Sequence, residues 1–165
     1  MKVLVTPRSL SKGGHPALDV LTAAGCELVF PAPGAQPSEA ALVAALPGAV
    51  AWLAGVEPIT AAVLEAADCL KIISRNGVGL DNIDRSAAKA KGIAIATTPG
   101  ANSRGVAELA LGFMLAFARQ IPGSDAAIKA GGWERRQGIE LEGRTLGIVG
   151  CGQIGLAGID NIPGG

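Results

Sequence analysis

Aromatic residues are scarce in this chain of 165 residues: they make up 3%, and there is no tyrosine. Charge of one sign is equally lacking, with Lys+Arg and Asp+Glu equal at 14 each. A nucleic-acid surface needs a basic stripe and rings on which bases stack, so no nucleic-acid partner is expected. Without a net field, ligand selectivity has to come from local groups. Cysteine is limited to Cys26, Cys69 and Cys151. An odd number at wide spacing excludes a disulfide framework and a C-x-x-C zinc site, so no metal is expected. Cys26 and Cys69 read instead as small buried apolar residues. The single histidine, His15, sits before the first helix and reads as an exposed helix-start residue. No apolar run is long: Leu109 to Ala118 falls well short of the ~20 residues that span a bilayer. The strand-like start Met1 to Val5 is too short for a signal-peptide core. A soluble cytoplasmic protein with no membrane partner is the expectation.

What is present is a 49% hydrophobic composition, which excludes a disordered chain, and a strict alternation of short apolar runs with helix-like runs. Strands are predicted at Val3–Val5, Leu28–Phe30, Val50–Leu53, Lys71–Ser74 and Ile93–Ala96. Between them, Pro16 opens a helix that Gly25 ends. Ser38 caps a helix to about Leu46, with Glu39 in its first turn. Thr60 caps another that ends near Ala67. Asp84 caps a fourth that closes on Lys89, Lys91 and Gly92. The strands are continuously apolar rather than alternating, as suits parallel strands covered on both faces. The class is α/β, a doubly wound parallel sheet of right-handed crossovers. Ligands of such sheets sit beyond the carboxyl ends of the strands, so the loops after Val5, Leu53, Ser74 and Ala96 are the ones to watch.

Beyond Pro99 the pattern changes. A long helix is predicted from Asn102 or Ser103 to Arg119 or Gln120. Val106, Leu109, Phe113, Leu115 and Phe117 make it apolar on nearly every face, which calls for burial on all sides. Pro122 breaks it, a shorter helix follows around Asp125 to Ala130, and 133–142 is polar without a period. Leu146 to Val149 reads as one more buried strand.

Three motifs carry candidate chemistry. Gly150-Cys151-Gly152-Gln153-Ile154-Gly155 is a G-x-G-x-x-G placed directly after the predicted strand. Its glycines would make the tight turn, admit a pyrophosphate to the backbone and let a helix pack close. The surrounding unit looks incomplete: Gly158 and Pro163 are poor helix material, and Asp160 is too near to be the ribose-binding acid expected about 20 residues on. The second motif runs from Ser74 to Asp84. Gly77 and Gly79 around Val78 leave exposed backbone N–H groups, and Arg75 supplies charge, a combination suited to a carboxylate or phosphate. A plain strand-to-helix turn capped by Asp84 accounts for the same spacing. The third, Thr97 to Asn102, reads as a crossing between domains.

In order and spacing, Gly55-Val56-Glu57-Pro58-Ile59-Thr60, Ser74 to Asp84, Thr98-Pro99-Gly100-Ala101-Asn102, Val106-Ala107-Glu108-Leu109, Gly132-Trp133-Glu134-Arg135 and Leu146 to Gly155 resemble the D-isomer-specific 2-hydroxyacid dehydrogenases, nearest the D-3-phosphoglycerate dehydrogenases. The resemblance implies a flavodoxin-like substrate-binding domain of five parallel strands over 1–98. It implies an interdomain helix, an arm and the first strand of an incomplete Rossmann domain over 99–155, leaving 156–165 as an atypical tail. It also implies residue roles. The amides of Val78 and Gly79, in the loop with Arg75, Asn76 and Gly77, would grip a substrate carboxylate, with Gly55 and Val56 beside them. Asn102 and Val106 would lie near the hinge and the nicotinamide. Gly150, Gly152, Gln153, Ile154 and Gly155 would form the NAD phosphate turn.

The family's catalytic arginine, glutamate and histidine belong beyond that turn, so no catalytic residue is assigned in this chain. The expectation is therefore an NAD-dependent oxidoreductase of small 2-hydroxy and 2-oxo acids whose 165 residues neither turn over nor hold NAD tightly by themselves. A second expectation is a self-associating substrate-domain module, dimeric through the 102–119 helix and the 120–149 arm, that binds small carboxylates or pairs with a full-length subunit.

Overall fold

The computed structural model describes residues 1–12 and 14–160, with only the backbone of Ile159 and Asp160; expectations on the last five residues of the tail lie outside the described residues. The chain divides into two compact units, Met1–Pro99 and Gly100–Gly165.

The first unit is a five-stranded sheet with all neighbours parallel, in the order β2-β1-β3-β4-β5. Its strands are β1 (Lys2–Val5), β2 (Glu27–Val29), β3 (Ala49–Ala54), β4 (Ile72–Arg75) and β5 (Ala94–Ala96). They alternate with α1 (Pro16–Ala23), α2 (Glu39–Ala45), α3 (Ala61–Glu65) and α4 (Arg85–Ala90). All five strands and four helices fall where hydrophobic runs and capping residues place them, within one or two residues at most ends. Ser38, Thr60 and Asp84 accept from the amides of Ala41, Val63 and Ala87, and His15 Nδ1 accepts from Ala17. Each such cap satisfies one of the donors that a helix start leaves free. The 2-1-3-4-5 order is the flavodoxin-like arrangement. Its topological switch point lies between β1 and β3, where consecutive crossovers leave in opposite directions.

The core follows from the same pattern. One face of the sheet packs Leu4, Trp52 and Ile73 against Leu42, Leu46, Val63, Leu64 and Ala88 from α2, α3 and α4. The other packs Val3 and Val5 against Leu18 of α1 and Leu10. Trp52 is fully buried at the centre of the larger cluster. Two polar contacts tie loops to this frame. Lys91 Nζ donates to the carbonyls of Leu64, Glu65 and Ala67 at 2.7, 3.1 and 3.2 Å, closing the C-terminal end of α3. Asp68 accepts from the Gly48 amide at 2.7 Å, and that hydrogen bond holds its carboxyl below the usual value. A lowered carboxylate stabilises the fold above its ordinary pKa, and the contribution fades as pH falls through the lowered value.

Cys69 is exposed and Cys26 only half-buried, against the expectation of two buried thiols. Cys69 stands in the surface connection between α3 and β4, where its neighbours Ala67 and Leu70 turn into the core and Cys69 is left outward.

The second unit holds α5 (Ser103–Ala118), α6 (Ile121–Lys129) and α7 (Gln153–Asp160). Two expectations fail here. Leu146 to Val149 forms no strand: Leu146 is 46% exposed and Val149 is fully exposed. A strand needs a neighbour for its N–H and C=O groups, and among the described residues this unit offers none. Conversely, a helix does follow the glycine motif despite Gly158, because α7 packs along α5. Tertiary contact outweighs a glycine cost of about 1 kcal/mol. Within α5 only Ala107 and Ala118 are buried, while Phe113 and Phe117 remain 66% and 77% exposed. No helix among the described residues is long and apolar enough to cross a membrane.

Lys91→Met, which keeps the apolar stem and removes the charged head, is expected to cost about 1 kcal/mol. In a domain of this size that is about 5 °C in a thermal melt.

Candidate functional site

The switch point carries a cavity. Beyond the carboxyl ends of β1 and β3, Thr6, Pro7, Arg8 and Ser9 face Gly55, Val56 and Glu57, and Asn76 and Gln36 complete a wall around about 190 Å³. A larger groove of about 710 Å³ lies along α4 and β5, lined by Leu80, Arg85, Ser86, Lys89 and Ile95 among others. It runs beside an unpaired sheet edge, away from the switch point, where no loops converge. The smaller cavity is the better candidate because strand topology, not surface roughness, creates it.

Buried hydrogen bonds shape its floor. Trp52 Nε1 donates to Thr6 Oγ1 at 2.9 Å, and Thr6 Oγ1 donates to Glu57 Oε1. The Gly55 amide donates to the same Oε1 at 2.9 Å. Glu57 is 1% exposed, so a carboxylate stands at the base of the cavity. Asn82 Nδ2 donates to the Glu57 carbonyl at 2.8 Å. The Ile59 amide donates to the Asn82 carbonyl at 2.7 Å, and the Asp84 amide to the Ile59 carbonyl at 2.8 Å. The loop after β3 is thereby stitched to the loop after β4. Gly55 has to be glycine: a Cβ there would meet Glu57 Oε2 at 2.8 Å and Pro7 Cα at 3.1 Å.

The loop after β4 presents free donors. Asn76 N donates back to Ala54 O at 2.8 Å, and Gly77 O accepts from the amide and hydroxyl of Thr98 at 3.0 and 3.3 Å. Between these anchors, the amides of Val78 and Gly79 donate to no acceptor among the described residues, and both residues are exposed. Arg75, read as the charge of this loop, turns inward. Its Nη1 donates to Asn76 O at 2.5 Å and its Nε is sealed from solvent without a partner among the described residues. Asp81 Oδ1 lies close beside Gly79.

The structure thus brings Gly55, Val56 and Asn76 to one cavity and sets Gly77, Val78 and Gly79 next along the chain. Thr6, Arg8, Ser9 and Gln36 stand in no motif, and Glu57 stands in one that attaches no role to it. The loops after β1 and β3 are legible as ligand loops, but nothing in a sequence separates a buried glutamate from a solvated one.

The remaining candidates lie in the second unit. Asn102 precedes α5 and its side chain makes no capping bond. Val106 is 37% exposed on the first turn, its amide donating to Asn102 O at 3.0 Å. Gly150 has φ +95°, and a Cβ on Gly155 would collide with the Gly150 carbonyl, so the first and third glycines meet the demands of a tight turn under a helix. Gly152 has open space where its Cβ would be. Gln153 and Ile154 open α7, whose first amides have no intrahelical acceptor. These features fit the pyrophosphate of a dinucleotide.

The family model for the D-isomer specific 2-hydroxyacid dehydrogenase catalytic domain matches residues 6–162. The chain is 52% identical over 99 residues to a D-3-phosphoglycerate dehydrogenase of Methanocaldococcus jannaschii, covering 59% of this chain and 19% of that protein. It is also 52% identical over 99 residues to a hydroxypyruvate reductase of Thermotoga maritima, covering 59% and 32%. Among solved structures, an NAD+-bound 3-phosphoglycerate dehydrogenase of Entamoeba histolytica matches at 30% identity and a TM-score of 0.78, over 97% of this chain and 49% of the other. A Thermus thermophilus protein matches at 35% and 0.83, over 97% and 52%. The matched stretch is under a third of these curated relatives and about half of the solved chains.

Gly77 has φ +145°, and a Cβ would overlap the Arg75 guanidinium. Gly77→Ala is expected to lower stability by about 2 kcal/mol, read by thermal unfolding, and to weaken the Thr98–Gly77 hydrogen bonds, read by amide exchange at Thr98.

Proposed function

This chain belongs to the D-isomer-specific 2-hydroxyacid dehydrogenases, and from that membership we propose that its first unit is the substrate-binding part of an NAD-dependent oxidoreductase acting on the CH–OH group of a small 2-hydroxy acid. The observation that carries the reading is the pair of free amides at Val78 and Gly79, held open by the Ala54 and Thr98 anchors and adjoining the switch-point cavity. Two adjacent N–H donors without acceptors suit a carboxylate, and a charge-assisted hydrogen bond is roughly twice as strong as a neutral one. Gly55, Val56 and Asn76 would line the remainder of the ligand, with the Arg75 guanidinium stiffening the loop.

In the second unit, Gly150, Gly152, Gln153, Ile154 and Gly155 would hold the pyrophosphate of NAD, and Asn102 and Val106 would lie toward its nicotinamide. NAD, when bound, supplies the hydride acceptor. The proton of the substrate hydroxyl needs a base, and the only histidine, His15, is committed to capping α1. These 165 residues therefore bind a 2-hydroxy or 2-oxo acid without turning it over and hold NAD weakly. The purified chain, titrated with NADH by fluorescence and then given simple 2-oxo acids, is expected to bind the acids and to show no NADH oxidation. A clear rate of oxidation would overturn the assignment of catalysis to groups other than these.

A second reading rests on the exposed apolar surface of α5 and the segments after it. Phe113, Phe117, Trp133 and Val149 are all more than half exposed, which a monomer in water rarely sustains. The chain would then self-associate, as a dimer through 102–119 and 120–149, or pair with a full-length subunit while still capturing small carboxylates. Light scattering at tens of micromolar is expected to give at least a dimer mass; a clean monomer would refute this reading.

A further inference from the structure

Among the described residues, Glu57 is the one acidic side chain the fold buries outright, and the proposed function leaves it unused. Its Oε1 is saturated, taking the Thr6 hydroxyl and the Gly55 amide. Its Oε2 has no hydrogen-bond partner among the described residues, yet it is not one of the buried side-chain atoms sealed from solvent without one. The remaining possibility is that Oε2 opens onto the cavity, whose wall Glu57 forms. Gly55 leaves room for that oxygen where any side chain would press on it. The Trp52–Thr6–Glu57 chain fixes the carboxylate's orientation from the core outward, so reaiming it would cost two buried hydrogen bonds, those from the Thr6 hydroxyl and the Gly55 amide.

We propose that Glu57 Oε2 is the group that reads the far end of the ligand, selecting 2-hydroxy and 2-oxo acids whose third carbon carries a hydrogen-bond donor and rejecting those that end in a second anion. An ionised carboxylate only accepts hydrogen bonds. A donor placed against it completes its coordination, whereas a phosphate or second carboxylate is repelled in a site where charges are poorly screened. The cavity of about 190 Å³ holds some six times the ~30 Å³ of a water molecule, room for the tail of a small acid. Arg8 shares the wall and has the opposite sign, but it is exposed, so water and salt screen it far more than they screen Glu57. This inference rests on the reading of Val78 and Gly79 as the carboxylate grip, with Asn76 and Gly55 carrying the ligand from one group to the other.

The test uses four three-carbon acids that differ only at the third carbon: D-lactate (methyl), D-glycerate (hydroxyl), D-3-amino-2-hydroxypropanoate (ammonium) and 2-hydroxymalonate (carboxylate). Dissociation constants come from amide shifts of residues 55–57 and 76–79 in the purified chain and in Glu57→Gln. In the wild type the affinity is expected to fall in the order ammonium, hydroxyl, methyl, carboxylate. In Glu57→Gln the amide oxygen keeps the Thr6 and Gly55 bonds and turns an NH2 toward the cavity. The ammonium acid is expected to lose about tenfold or more, the dicarboxylate to gain, and lactate to stay unchanged. If Glu57→Gln fails to fold by circular dichroism, the wild-type ranking decides by itself. Equal affinities for all four acids, or a ranking indifferent to Glu57→Gln, would overturn the inference and leave the carboxylate grip standing. No shift with any acid would overturn the grip and the inference together.

Discussion

A buried chain of hydrogen bonds from Trp52 through Thr6 to Glu57 joins the hydrophobic core of the first unit to its ligand loops. Trp52 occupies the centre of the larger cluster, and its indole N–H, like any buried donor, requires a partner. Thr6, the first residue beyond β1, supplies it, and the Thr6 hydroxyl then donates its own proton to Glu57 beyond β3. The two loops that diverge at the switch point are thus held by one core residue. Losing the Thr6 hydroxyl would strand the buried Trp52 N–H, at a cost of about 1–3 kcal/mol. These bonds orient Thr6 and Glu57 from the core without any ligand, the kind of preorganisation that the proposed selectivity between small acids would need.

The same chain accounts for the division of labour among the loops. In the loop after β4, Arg75 braces its own turn, and the amides of Val78 and Gly79 are left without an acceptor among the described residues. On the proposed reading these amides would hold the carboxylate of any 2-hydroxy acid and would not tell one acid from another. Discrimination has to come from side chains, and in this cavity the side chain removed from solvent, fixed in orientation and bearing charge is Glu57. A family that contains phosphoglycerate dehydrogenases and hydroxypyruvate reductases alike is consistent with a common grip and a variable far wall.

The two units differ in how far local signals reach. In the first, each strand has neighbours on the sheet and each helix has a capping residue, so propensity, pattern and packing agree, and such agreement is what makes a fold legible. In the second, Leu146 to Val149 has strand-forming residues and no ladder to join, while Gly158 opposes a helix that α5 nevertheless stabilises. Both misreadings have one cause, which is that partners rather than residues decide marginal segments.

The residues alone determined the α/β class, the four capped helices, the positions of the five strands and the demand for glycine at 150 and 155. Each of these depends on dihedral preference, capping or hydrophobic period, and these act over a few residues. Only the tertiary structure decided that β1 and β3 are adjacent, that Glu57 is buried and aimed rather than solvated, that Arg75 serves its own loop, and that Cys69 lies outside the core. Those outcomes depend on which segments meet across some fifty residues of chain, as Thr6 and Glu57 do. Burial and hydrogen bonding over that distance are properties of the pairing and not of either residue.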